Sequence, residues 1–534
     1  MVMGLSPLGW LMRHAEDVSA AGSRLTAGGE MHVRSDRARL RRIAPPAGVV
    51  GAMALTALMA VAAGCLIPRG PATTAEAVIT VTTAVILGFA VGWLMRSRWT
   101  LLLAPAVFML VFELVRMRVN GPTVDGIALN GLYGVIAFVG GRGIDAILIL
   151  LPLAVGISYG ATLARKPTPT PDQQPRPHSL RRGFLAVATL AVFVLVAGLM
   201  RPASTADIAD ASGDRVPGSI AQLVDISIGG HDQAVMLRGA SAKAPVLLFL
   251  EGGPGGTGIG RLRNSGEDLE RKFVVATWDQ RGTGKSYAAL EPSATLTLDQ
   301  MVKDTLEVVD YLRDRFEKEK VYLVGSSWGT IIGTLAVQRS PEKFAAYVGT
   351  GQMVDPFATD KLMYAESIRD AQARGDDSAV KTLRALGPPP YEDTLDYPVA
   401  IASNPKWIQF NHGADYSASS EYPSSLFVGE YSLVEQLRGM AAIAETFDVL
   451  YPQLSDTDFR FDVPRLEVPV YLVEGGHEAS GRKTLARTWF DQLTAPDKTW
   501  VHFPNTGHTP PYDEPSRFAR LMEDVLRSTS TPAA

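Results

Sequence analysis

Cysteine is all but missing: Cys65 stands alone in 534 residues, so no intrachain disulfide can form. The eight histidines do not gather with it at zinc spacing, and no metal site is expected. Positive charge is not in excess either. A formal net charge of -4 supplies no basic field, which argues against a nucleic-acid partner. Charged residues are only 20% of the chain against 46% hydrophobic ones, and the two kinds are unevenly spread.

Polar faces are scarce between 44 and 200. Apolar runs fall at 44–67, 74–95, 99–115, 145–164 and 183–200, each near the length that crosses about 30 Å of hydrocarbon. Soluble core helices would show a polar side, and these runs show almost none. They predict an all-α region of five transmembrane helices with the lipid bilayer as partner. Glu113, an acid inside a run, lies near its end, where a carboxylate can reach the interface. A weaker run at 127–141 would make six spans. Basic residues argue for five, because cytoplasmic loops retain them. The tail 1–43 carries Arg13, Arg24, Arg34, Arg37, Arg39, Arg41 and Arg42, and the second and fourth loops carry Arg96, Arg98, Arg165, Lys166, Arg176, Arg181 and Arg182. The intervening loops hold only Arg69, Arg116, Arg118 and Arg142. The expectation is a multi-pass protein of a bacterial plasma membrane with its N-terminus in the cytoplasm and everything after Met200 outside it. Ala63-Gly64-Cys65 loosely resembles a lipoprotein cleavage site, but a long basic tail precedes it and four more spans follow. A cysteine inside an apolar helix is the expected reading.

The Pro-rich stretch KPTPTPDQQPRPHSLRR reads as an extended connector, and 201–217 as a tether. From 218 to 534 strand-like runs alternate with helical periods, as in a mostly parallel sheet covered by helices. LVDISIG and QAVMLRG form a hairpin around Gly229, Gly230, His231 and Asp232. VLLFL, FVVATWD, VYLVGS, AAYVGTG, VPVYLVEG and TWVHFP complete about eight strands. The strand pattern stops over about 353–465, which predicts a helical cap insertion.

Gly325-Ser326-Ser327-Trp328-Gly329 matches G-x-S-x-G between a β-branched strand and the helical run TIIGTLAVQRS. In the α/β-hydrolase fold this turn lifts the central serine out of the sheet, at a helix start that favours developing negative charge. Ser327 is therefore the expected nucleophile. Such a serine needs a base, and the chain order in this fold is serine, acid, histidine. His14, His32 and His178 lie in the membrane half, His231 and His412 precede or interrupt that order, and His502 lies within a strand. His508 follows the last strand and is the expected base. Glu478, just past VPVYLVEG and about 30 residues before His508, is the expected acid that orients it. Glu474 is a rival closer to the strand itself, and His477 reads as a loop residue. An oxyanion hole needs two backbone N–H groups. Gly253, in Glu251-Gly252-Gly253-Pro254-Gly255-Gly256, and Trp328 are the candidates.

Gly253, Gly255 and Gly258 also spell G-x-G-x-x-G, with Asp279 about 20 residues on, as in a dinucleotide site. The proline inside the motif and the placing of Ser327 and His508 favour the hydrolase. Gly284-Lys285-Ser286 is no phosphate-binding loop, since Asp279 stands where its first glycine belongs.

Gly252-Gly253-Pro254-Gly255-Gly256, Asp279-Gln280-Arg281-Gly282-Thr283-Gly284-Lys285-Ser286 and Gly325-Ser326-Ser327-Trp328-Gly329 together resemble the proline iminopeptidase family of α/β-hydrolases, over about 220–530. The resemblance implies Ser-Asp-His aminopeptidase chemistry, an oxyanion hole from positions matching Gly253 and Trp328, a cap whose acids hold the substrate's ammonium, and no cofactor. Two departures stand out: Glu251 replaces the usual histidine of H-G-G-P-G, and Glu478 the usual aspartate. Glu251 bears on how the entrance is braced or charged, and the cap acids Glu430 and Glu435 are candidates for an amine. The expected activity is cleavage of an amide or ester through an acyl-enzyme, with a short peptide or small molecule as substrate. A carboxylesterase is the nearest alternative, and a membrane sensor or transporter with a ligand-binding hydrolase-like domain is another. No protein partner is read from the sequence.

Overall fold

The computed structural model describes residues 47–97, 99–126, 129, 132–165, 179–404 and 424–530. The basic tail 1–43, most of the Pro-rich linker, His178, His412 and part of the cap lie outside them.

The apolar region folds as α1 (Ala47–Leu66), α2 (Thr74–Met95), α3 (Thr100–Arg116), α4 (Leu132–Ala164) and α5 (Ser179–Leu199). Among the described residues, four helices are long and apolar enough to cross a membrane, and α3 has 17 residues. The runs at 127–141 and 145–164, expected as a weak sixth span and a fourth one, join in one helix of 33 residues. Residues 142–144 separate the two runs in sequence, yet the chain passes from one to the other without leaving the helix, through π-turns on either side. Gly141 is needed there, because a β-carbon would lie 2.2 Å from the Thr123 carbonyl oxygen. Glu113, whose partners the sequence did not disclose, pairs with Arg116 and Arg142.

Two glycine pairs draw α2 and α4 together. A β-carbon at Gly88 or Gly92 would lie 2.3 Å from the Leu153 or Ile157 carbonyl oxygen, and one at Gly156 or Gly160 would lie 2.2 or 2.0 Å from those of Val85 and Phe89. Small residues spaced four apart let helix backbones touch, which is how helices associate without a hydrophobic driving force between them.

The C-terminal half holds one eight-stranded sheet in the order β1-β2-β4-β3-β5-β6-β7-β8. The strands are β1 (Ile220–Ile228), β2 (His231–Gly239), β3 (Val246–Leu250), β4 (Val274–Trp278), β5 (Val321–Ser326), β6 (Phe344–Thr350), β7 (Val470–Gly475) and β8 (Lys498–Phe503). β1 and β2 form the hairpin through a two-residue turn, Gly229-Gly230, and β2 meets β4 antiparallel. The other pairings are parallel. β3 and β4 are buried throughout, which explains their unbroken apolar sequence. Helices α6 (Leu298–Phe316), α7 (Trp328–Arg339), α10 (Ser480–Gln492) and α11 (Pro515–Ser530) cover the sheet. Between β6 and β7 come the cap helices, among them α8 (Pro356–Arg374) and α9 (Leu433–Leu450). Asp355 caps α8 by accepting from the Ala358 N–H, and Glu435 in the first turn of α9 accepts from the Ser432 N–H at 2.7 Å.

Candidate active site

Ser327 sits between β5 and α7 with φ 53° and ψ -118°, a left-handed conformation that costs energy for any residue with a side chain. Neighbouring glycines make the turn possible. A β-carbon at Gly329 would lie 2.2 Å from the Leu250 carbonyl oxygen, and one at Gly325 would lie 2.7 Å from that of Gly329. The turn thus presses against the end of β3, where the Glu251–Gly256 loop begins. Gln280 ties the three motifs together. Its amide donates to the Glu251 carbonyl at 3.0 Å, and its carbonyl accepts from the Trp328 indole at 2.9 Å. Gly253 and Trp328 therefore stand on segments locked to one another, on either side of Ser327.

His508 and Glu478 come from the loops after β8 and β7. Their side chains pair directly, His508 Nδ1 with Glu478 Oε2. Glu478 also accepts from the Ala479 N–H at 2.8 Å. Burial would raise the Glu478 carboxyl, but the His508 and Arg482 charges outweigh it and hold it down at about 2. Burial and then Arg482 lower His508 against the opposing pull of Glu478. Glu474 lies elsewhere, accepting from the Trp500 indole at 3.0 Å. Among the residues the sequence did not single out, Arg482 stands one helical turn past Glu478. Its Nη1 lies 2.7 Å from His508 Nδ1 and 3.4 Å from Glu478 Oε1.

A cavity of about 280 Å³ opens over Ser327 and His508, bounded by the Glu251–Gly253 loop and by cap residues that include Tyr391, Tyr397, Phe447 and Tyr451. Among the described residues, its cap acid is Asp360 on α8, which accepts from the Tyr451 hydroxyl at 2.8 Å and is pushed up to about 7, chiefly by burial. No sequence motif marks Asp360. Glu251 lines the cavity rim, where Arg261 and the Tyr512 hydroxyl hold its carboxylate. Glu430 and Glu435 do not line it: Glu430 pairs with Arg263 at 2.9 Å, and Glu435 with Lys285 at 3.0 Å. Both cap acids are thus committed to cations away from Ser327, which corrects the expectation that they face an amine. Asp279 is likewise committed, to the N–H groups of Ile259 and Lys285 and the Tyr431 hydroxyl, which leaves no dinucleotide role for it. Among the described residues no group of three or more potential metal ligands occurs.

Residues 245–385 match the alpha/beta hydrolase fold family. A probable aminopeptidase of Bacillus subtilis (strain 168), YbaC, is 31% identical over 314 residues, which are 58% of this chain and 97% of that protein. A putative carbamate hydrolase of Variovorax paradoxus (strain S110) is 24% identical, over 53% of this chain and 93% of its own. Among solved structures, a proline iminopeptidase-related protein from Thermus thermophilus is similar at 20% identity and a TM-score of 0.42, over 58% of this chain and 98% of that one. The chain belongs to the α/β-hydrolases, in the family of that probable aminopeptidase, with an apolar helical region ahead of the hydrolase fold.

Proposed function

We propose that the protein is a membrane-anchored serine hydrolase that removes residues from short peptides with a free amino terminus. The observation that carries this reading is that His508, paired with Glu478, lines the same cavity as Ser327 on its strained turn. Ser327 attacks the scissile carbonyl and passes its proton to His508 Nε2, while Glu478 holds the Nδ1 proton and offsets the imidazolium charge. The Gly253 and Trp328 N–H groups receive the oxyanion. His508 returns the proton to the leaving amine, and water releases the acyl group by the reverse sequence. Asp360 is the cap acid placed to meet a substrate ammonium. An esterase reading draws on the same residue, because burial favours the uncharged form of this acid.

Anchoring is supported by the collar of exposed apolar side chains on the helical region, such as Leu58, Ile86, Phe184 and Phe193. Arg69 and Thr123, on the segments after α1 and α3, both meet Glu445, while at the far end Arg165 donates to the Arg96 carbonyl oxygen at 3.1 Å. These contacts fit five crossings, with the hydrolase on the side opposite the N-terminus. The test is Ser327→Ala in the full chain with a fluorophosphonate probe. Labelling and turnover should fall by roughly 10⁴-fold or more while the fold persists. Labelling that persists would give the nucleophile's role to another residue.

A further inference from the structure

Helix α9 has two working faces. On one, Val434 is fully buried in the apolar cluster of α1–α5, and a β-carbon at Gly198 of α5 would lie 2.8 Å from Leu433. One and three turns further, the same face carries Arg438 and Glu445, each 1% exposed. Glu445 takes the Arg69 guanidinium and accepts from the Thr123 N–H at 2.9 Å. Arg438 donates to the Pro71 carbonyl oxygen at 2.9 Å and lies 3.8 Å from Asp145 of α4, which Arg116 of α3 also reaches at 3.0 Å.

The opposite face of α9 touches the candidate active site. A β-carbon at Gly255 would lie 2.9 Å from Ile443 Cα, so this helix is the wall against which the glycine loop rests. One turn on, Phe447 lines the cavity and stacks on Tyr451 with ring centres 4.4 Å apart. Between them Thr446 donates to the Gly282 carbonyl oxygen at 2.9 Å. Buried ion pairs contribute little net stability, since desolvation offsets their attraction, but a misplaced one is costly. They are therefore position-setting contacts, and they lie on the back of the helix that faces Ser327.

We propose that the membrane helices are a working part of the hydrolase: through the Arg69–Glu445 and Arg438–Asp145 contacts they fix α9, and α9 fixes the Gly253–Gly256 loop and Phe447. Arg69 and Glu445 are then positioning residues, remote from the reacting atoms. The inference rests on the reading of Ser327 as nucleophile, but its first test does not. A protease site is inserted into the exposed turn at 211–214 of the full chain, and the purified protein is cut in detergent. The two halves should elute together, also in the Ser327→Ala background, and separation of the cut parent chain would overturn the proposal. The second test compares fluorophosphonate labelling rates of the uncut chain. Glu445→Arg, which sets two guanidinium groups against each other, should label at least tenfold more slowly, and Arg69→Glu added to it should recover part of the rate. Arg487→Ala, at an exposed pair, should stay within twofold. Should Glu445→Arg fail to fold, Arg69→Met takes its place. A folded interface variant that labels at the parental rate, with parental kcat and KM on a simple ester, would equally overturn the proposal. Loss of labelling in Ser327→Ala, read separately, keeps the two readings distinguishable.

Discussion

Arg482 places a permanent cation against both His508 and Glu478. Burial first and this charge second lower His508, so its neutral form persists below pH 6.5. In folding, the unfolded chain takes up the proton first, and stability from neutral His508 is lost as pH falls below 6.5. For activity, kcat/KM tracks the free base. Its acid limb should lie below pH 6.5, and Arg482→Gln should move it to higher pH, because one repulsion against the imidazolium is gone. A limb that stays in place or moves down would remove Arg482 from this role. At the cap, Asp360→Asn should weaken kcat/KM for amino-terminal peptide amides by roughly 10- to 100-fold, as expected for a charged hydrogen bond of about 1.5–3 kcal/mol, and leave simple esters nearly unchanged. Equal losses on both substrates would separate Asp360 from the ammonium. The turn at Ser327 and the strand-end positions of the paired His508 and Glu478 were legible because such positions constrain the sequence locally. Asp360 carries no such mark, since a helical acid reads the same whether it faces solvent or a cavity. Arg482 was within reach, four residues after Glu478 on a helix.

At the scale of elements, β3, β4 and β5 were readable to within one residue because they are buried on both faces and tolerate little but apolar side chains, whereas β1 begins three residues before the run read for it. The glycine seam of α2 and α4 is as local a signal, with Gly88-Phe89-Ala90-Val91-Gly92 and Gly156-Ile157-Ser158-Tyr159-Gly160 in plain sight, but a glycine alters neither the length nor the polarity of an apolar run. Gly156→Leu should force these backbones apart and cost about 1–3 kcal/mol by overpacking. A lowered thermal midpoint of the full chain in detergent would register it. Gly51→Ala, with nothing within 4 Å of the added carbon, serves as the control, and equal midpoints for the two variants would discount the seam. The contacts of α9 with the apolar helices were illegible for a different reason. Arg69 and Glu445 are 376 residues apart, and each alone looks like a solvated charge.

For the whole molecule, the expected arrangement has the hydrolase outside the cytoplasm. Protease added to intact cells or spheroplasts should digest it while sparing the Pro-rich linker. Cleavage of the hydrolase only after lysis would reverse the orientation. The length of α4 has a consequence for chemistry as well. Its 33 residues rise about 50 Å, roughly 20 Å more than the hydrocarbon layer. With α4 crossing the bilayer upright, its first turns would extend past the hydrocarbon layer, where Gly140 lies against Ala441 of α9. Under that arrangement the catalytic chamber would be carried above the bilayer on a short mast. An ester bond at the glycerol level of a phospholipid would have to be lifted out of its leaflet to reach Ser327, whereas a dissolved peptide diffusing over the membrane arrives at the right height.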